Sequence, residues 1–194
     1  MTSKFEQALV RIDDAHREDP NIVTVDGSQV PYELHYANKM TKYLEQRDPS
    51  ASEILRLAVR AQHLRRWEIP RSSYPMTRPG YFAWRTGQKN RQADIAEEIC
   101  RDCGYLADEA GRVASLVRKE NMKQDEECQA LEDVACLVFL DDQFEKFEKE
   151  HDEEKIMGIL KKTWAKMSKE GHELALQINM SDRARSLVTK ALSL

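Results

Sequence analysis

Apolar residues return at helical spacing along almost the whole chain. Phe5, Ala8, Leu9 and Ile12 form one face of a first helix over 3–19, which Asp19-Pro20 ends. A polar loop follows, with Asp26-Gly27 as its turn signal. Pro31 opens a second helix, whose Leu34, Met40, Tyr43 and Leu44 face inward and which Asp48-Pro49 closes. Ser50 or Ser52 then caps a third helix that runs to about Trp67. Three prolines restrict 69–80 to a structured loop. Helix resumes from Tyr81 to Cys103, with Gly104 as its cap, and again over 106–119. Val134 to Leu140 is apolar on every side, the mark of a buried helix, and Glu132 and Asp133 stand at its entrance. Helices over 153–168, 170–179 and 182–193 close the chain, and no segment reads as a convincing strand. The pattern predicts an all-α fold, one domain over 1–194, built as a bundle of about eight to nine helices.

Composition agrees. Of 194 residues, 41% are apolar and 33% charged, while seven glycines and six prolines supply few turns for a many-stranded sheet. No apolar run approaches the ~20 residues of a membrane span. The N-terminus, MTSKFEQALVRIDDAHRED, carries acids early and lacks an apolar segment, so neither a secretory signal nor a transit peptide fits and a cytoplasmic location is expected. Cys100 and Cys103 form a CxxC, but Cys128 and Cys136 complete no second zinc knuckle, and the flanks read as helix. Free, buried or half-buried thiols are expected.

Charge changes the picture most. The chain carries a net −4, yet residues 56–91 hold eight arginines and one lysine against a single acid, Glu68. That stretch is therefore +8 and the remainder −12, and it also holds five of the 14 aromatic residues and three of the six prolines. A basic, aromatic, proline-punctuated segment in an acidic protein suits the holding of an anion. On the predicted third helix Arg56, Arg60, His63 and Trp67 recur at spacings of 4, 3 and 4, opposite Ile54, Leu57, Ala58, Ala61 and Leu64. Planar anion binders and stacking rings in line point to a cleft wall rather than a solvated stripe. Arg60, Arg66, Arg71, Arg78 and Arg85 are the candidate phosphate ligands, and Trp67, Tyr74 and Trp84 the candidate stacking rings. Glu132 and Asp133 need partners where they enter the buried helix, and with His63 they could hold a metal or act as general acid and base. His16, His151 and His172 stand alone among polar residues and read as surface or capping side chains.

His63 on one helix and Asp133 on a later, buried one resemble the layout of the HD-type metallophosphohydrolases. That resemblance implies an HD-like bundle in which two histidines and two aspartates hold a divalent metal that activates water against a phosphate ester. Leu64 stands where an aspartate follows the second histidine, the first-helix ligand falls at His35 or Tyr36, and Lys39 replaces the usual arginine. A divalent metal on His63 and Asp133 would be short of ligands. An ion pair at Asp133 or Glu132, with an arginine such as Arg60, is expected instead of a loaded metal centre.

PYELHYANKMTKYL, ASEILRLAVRAQHLRRWEIPRSSYPMTRPGYFAWR, LVRKENMKQDEECQALEDVACLVFLDD and EEKIMGILKKTWAKMSKEGHELAL are similar to the bacterial and fungal family called domain of unknown function forty-two-oh-two. Its motif positions fall on Glu33, Glu53, Arg60, Gln62, His63, Arg66, Trp67, Arg71, Tyr74, Arg78, Trp84, Arg85, Lys119, Glu132 and Asp133, which adds Lys119 to the ligand-binding candidates. Gln92 stands where bacterial members have a histidine, and RQADIAEEIC looks fungal. Some fungal relatives carry the label glutamyl-tRNA synthetase, and Lys166 to Lys169 resembles the KMSKS loop. The chain has no HIGH-type partner motif and no alternating βα pattern, and lysines at a helix C-terminus are stabilised by its dipole. The expected function is binding of a small phosphorylated, nucleotide-type ligand in a basic aromatic cleft, with its hydrolysis as an extension. The alternatives are a non-catalytic HD-like sensing or protein-interaction module, and an RNA-binding protein. No membrane partner is expected, and the sequence leaves cofactor and oligomeric state open.

Overall fold

The computed structural model describes residues 2–122 and 124–192. Helix α1 (Lys4–Arg17) starts at Ser3, whose hydroxyl accepts from the Glu6 amide while Glu6 reaches back to the Ser3 amide. A β-hairpin follows, β1 (Ile22–Val25) against β2 (Ser28–Pro31), with Val25 opposite Ser28. The segment expected as loop is thus a short sheet. Its turn is Asp26-Gly27, both at positive φ (48° and 79°), the tight hairpin turn that those two residues favour.

Helix α2 (Tyr32–Arg47) and α3 (Glu53–Arg60, capped by the Ser52 hydroxyl) lead into two short 3-10 turns, Arg66–Glu68 and Arg71–Ser73. Helix α4 (Arg78–Asp102) begins at Thr77 and is followed by Gly104 at φ 90°. Then come α5 (Ala107–Arg118), α6 (Glu126–Val138), a π-helical turn (Phe139–Gln143), α7 (Phe144–Glu150), α8 (Glu153–Trp164), α9 (Lys169–Ala175) and α10 (Asp182–Leu192). Residue 193, expected to end the last helix, lies outside the described residues.

The fold is all-α apart from the hairpin. Helix α2 packs on α1, α3 and α6, α5 on α3 and α4, and α10 on α8. One apolar cluster runs from Ala8 to Ala191, and the expected greasy segment Val134–Leu140 supplies Val134, Leu137, Val138 and Leu140 to it. All four cysteines are free and buried, and burial pushes the Cys128 thiol up to about 11 and those of Cys100 and Cys136 up to about 12. Those three thiols are poor nucleophiles at neutral pH. No helix among the described residues is long and apolar enough to cross a membrane.

Candidate functional site

Helix α3 stops at Arg60 rather than near Trp67, and the reason lies far away in sequence. His63 and Arg65 take left-handed backbone angles, φ 64° and 52°, which end a helix. The buried carboxylate of Glu33 on α2 accepts from the Arg65 amide and from the Trp67 amide, each at 3.0 Å. The Glu33 amide in turn donates to Asp19, at 2.9 Å. This clamp replaces the helical ladder and displays His63 and Arg66 toward α2 and α4. The His63 ring stacks on Tyr36, centroids 4.0 Å apart. Arg66 donates to His63 Nε2 at 2.9 Å and lies over the Trp84 ring at 4.6 Å. Because Nε2 accepts, the neutral ring carries its proton on Nδ1.

Further cations gather here. Arg85 and Lys89 are one turn apart on α4, and Lys89 Nζ donates to the Arg118 carbonyl at 3.2 Å, beside Lys119 at the end of α5. Burial, then Arg66, Lys119, His16 and Arg85, pushes His63 well below its ordinary value. Burial, Lys119 and Arg85 lower Lys89 in the same way, and burial lowers Arg66, with Arg85 adding to it. Glu132 is the acid in their midst, 2.5 Å from Lys119 and 3.3 Å from Lys166. Burial alone would raise its pKa, but the two lysines outweigh that and hold it low. Arg65 and Arg91, from the same basic stretch, share Glu68. Among the described residues no carboxylate lies within 4 Å of Arg66, Arg85 or Lys89.

The structure places several sequence candidates elsewhere. Arg60 donates to Asp13 (2.6 Å), Thr41 (3.0 Å) and Asn38 (2.8 Å), tying α3 to α1 and α2. Arg56 turns back to the carbonyls of Pro49 and Ala51, so the expected Arg56–Arg60–His63–Trp67 stripe is not formed. Asp133 is fully buried, and its two oxygens take four donors: Arg47 Nε (2.8 Å), Ser168 N (2.7 Å) and Oγ (2.6 Å), and Gln129 Nε2 (2.9 Å). Its ion-pair partner is therefore Arg47, not Arg60. Among the described residues no three His, Cys, Asp or Glu side chains come together as a metal-binding group.

Arg71 laces the 74–77 loop through the carbonyls of Tyr74, Pro75 and Thr77. Arg78 is exposed beside Phe82, the Tyr74 hydroxyl sits against Gly87, and Trp67 Nε1 is buried without a hydrogen-bond partner. The cluster proper thus holds His63, Arg66, Trp84, Arg85, Lys119 and Glu132 from the sequence candidates. Tyr36, Lys89 and Lys166 join them. Lys89 was visible as the residue four beyond Arg85 on one helix, whereas nothing local marks Lys166. His16 is not a surface residue but is fully buried, its Nε2 donating to the Arg60 carbonyl. His172 stacks on Trp164 at 3.9 Å, and the lysine-rich Lys166–Lys169 segment is the α8–α9 turn, with Ser168 capping α9.

The family model described as Domain of unknown function (DUF4202) matches residues 6–188. The chain belongs to that family. The match takes in the Glu33 clamp, the cation cluster and the Asp133 hub. No curated protein and no solved structure matches the chain. Chemically, the cluster offers one planar guanidinium held from both sides, two lysines that share Glu132, a neutral imidazole, and Arg85 and Lys89, which have no carboxylate within 4 Å among the described residues. Such a set can hold an anion.

Proposed function

We propose that the protein binds a small phosphorylated ligand of nucleotide type at the cluster of Arg66, Arg85, Lys89 and Lys119. The observation that carries this reading is that, among the described residues, no carboxylate lies within 4 Å of Arg66, Arg85 or Lys89, in an acidic chain whose neighbouring Arg65 and Arg91 are paired. Like charges gathered at a partly buried site repel one another, and an incoming phosphate relieves that repulsion while accepting charge-assisted hydrogen bonds. Tyr81, 40% exposed and flanked by Arg71 and Arg85 at 5.9 and 5.8 Å, is placed to stack a base. Trp84 instead supports Arg66 from beneath.

The reading is binding rather than hydrolysis. His63 Nε2 is engaged by Arg66, Glu132 by two lysines and Asp133 by four donors, so each candidate acid or base already has a structural partner. Isothermal titration with pyrophosphate tests the proposal. Wild-type protein should bind it, and Arg85→Ala/Lys89→Ala should bind about 10-fold or more weakly. Equal affinity in the two proteins would remove the cluster from the site.

A further inference from the structure

A groove of about 930 Å³ lies between the hairpin, the start of α2 and the π-helical turn with α7, and shares no lining residue with the cation cluster, although its Tyr32 is near enough to Arg66 to feel that charge. Its volume is in the range that encloses a small organic molecule. Phe139, Asp142, Gln143, Lys146, Phe147 and Glu150 recur at steps of 3, 1, 3, 1 and 3, so the π-helical turn and α7 present them along one wall. π-helical turns of this kind are frequent at functional sites. Val23 and Val25, alternate residues of β1, face them from the hairpin.

Two features select the ligand chemistry. The first is an aromatic wall: Phe139 and Phe147 meet edge to face at 5.9 Å, and His151 stacks on Phe147 at 4.2 Å. The second is polarity. At the inner end Asp142 receives Tyr32 Oη (2.9 Å) and His35 Nε2 (2.8 Å), and at the rim Asp26 and Glu150 are exposed with one lysine, Lys146. Lys39, paired with Asp141 at 2.8 Å, also reaches within 3.6 Å of Asp142, so the three lining carboxylates face Lys146 and a shared Lys39, and the balance stays acidic. An anion is disfavoured there, and a ring carrying an ammonium group satisfies both features.

We infer that this groove is a second binding site, for a small aromatic amine, independent of the phosphate reading. Amide-resolved NMR titration with tryptamine and with indole-3-propionate, the same ring with the opposite charge, tests it. Tryptamine should shift the amides of Val23, Val25, His35, Phe139 and Phe147 and leave those of Lys89 and Lys119 in place. Indole-3-propionate should bind about fivefold or more weakly. Asp26→Asn/Glu150→Lys changes only exposed side chains, and asparagine suits the left-handed turn position, so the fold is kept. This variant should lose most of the preference for tryptamine. The inference is overturned if neither compound shifts the groove amides, if both bind equally, if the shifts map elsewhere, or if the variant keeps the full preference.

Discussion

Tyr36 and His63 lie ring on ring, their centroids 4.0 Å apart and their planes 16° from parallel. Tyr36 is buried on α2, so the stack fixes the imidazole from one face while Arg66 fixes its Nε2. A ring so held, among Arg66, Lys119 and Arg85, stays neutral below its ordinary 6.5. In the unfolded chain it regains that value. As pH falls below about 6.5, the unfolded state therefore takes up a proton that the folded state refuses, and stability drops through that window, with no such effect above it.

His63→Asn isolates this contribution, because asparagine tolerates the left-handed backbone at that position. Stability should fall at all pH values, by about 1 kcal/mol for the lost ring stack. The loss on going from pH 7 to pH 5.5 should be smaller than in the wild type. Urea unfolding at the two pH values checks this, and an identical pH dependence in both proteins would refute it.

Asp133 is the hub of α2, α6 and the α8–α9 turn. Removing a buried carboxylate with four donors leaves Arg47 uncompensated, so Asp133→Ala should cost roughly 3 kcal/mol or more. Gly171→Ala should strain the same hub, since a Cβ there would come within 2.8 Å of the Asp133 carboxyl group. Pyrophosphate affinity of folded Asp133→Asn should match the wild type within about twofold. A large loss of affinity at full stability would return Asp133 to the ligand site.

Helix boundaries set by local chemistry were legible in the sequence: Asp19-Pro20 after α1, Asp48-Pro49 after α2, Gly104 after α4, and the buried Val134–Leu140 run. The hairpin was not, because β1 and β2 are four residues each and alternate too briefly to outweigh the polar loop between α1 and α2. The end of α3 was hidden for a different reason. No local signal stops it, and Glu33, some thirty residues earlier, captures the amides of Arg65 and Trp67. Charge density located the basic cluster but could not say which arginines serve it. Arg60 and Arg66 look alike in sequence, and only the positions of Asp13, Asn38 and Thr41 divert Arg60 into holding helices together.

That division is testable. Arg60→Ala should lower stability by about 2–4 kcal/mol, since three partners lose their donor, while pyrophosphate affinity stays unchanged. Arg85→Ala should do the reverse, because its side chain is exposed and no carboxylate among the described residues lies within 4 Å of it. Thermal unfolding paired with titration calorimetry separates the two, and parallel losses in both variants would contradict the assignment.

The basic surface also includes exposed Met76 and Phe82 beside Arg78, which raises the RNA alternative directly. Single-strand binding through many phosphates steepens its log–log salt dependence by roughly 0.7 per phosphate. The expected result is weak binding of single-stranded RNA at physiological salt, and tighter binding of pyrophosphate or a nucleotide. RNA outcompeting both at that salt would reverse the assignment.

The central claim is that the cations near His63 form one anion site, and the most direct measurement is the position of a phosphate mimic. Crystals soaked in tungstate should show an anomalous peak within hydrogen-bonding reach of Arg66 and Lys119, with Arg85 or Lys89 completing the contact, and Arg85→Ala/Lys89→Ala should lose that peak. Tungstate bound only at other surfaces, or retained at full occupancy in the double variant, would contradict the claim.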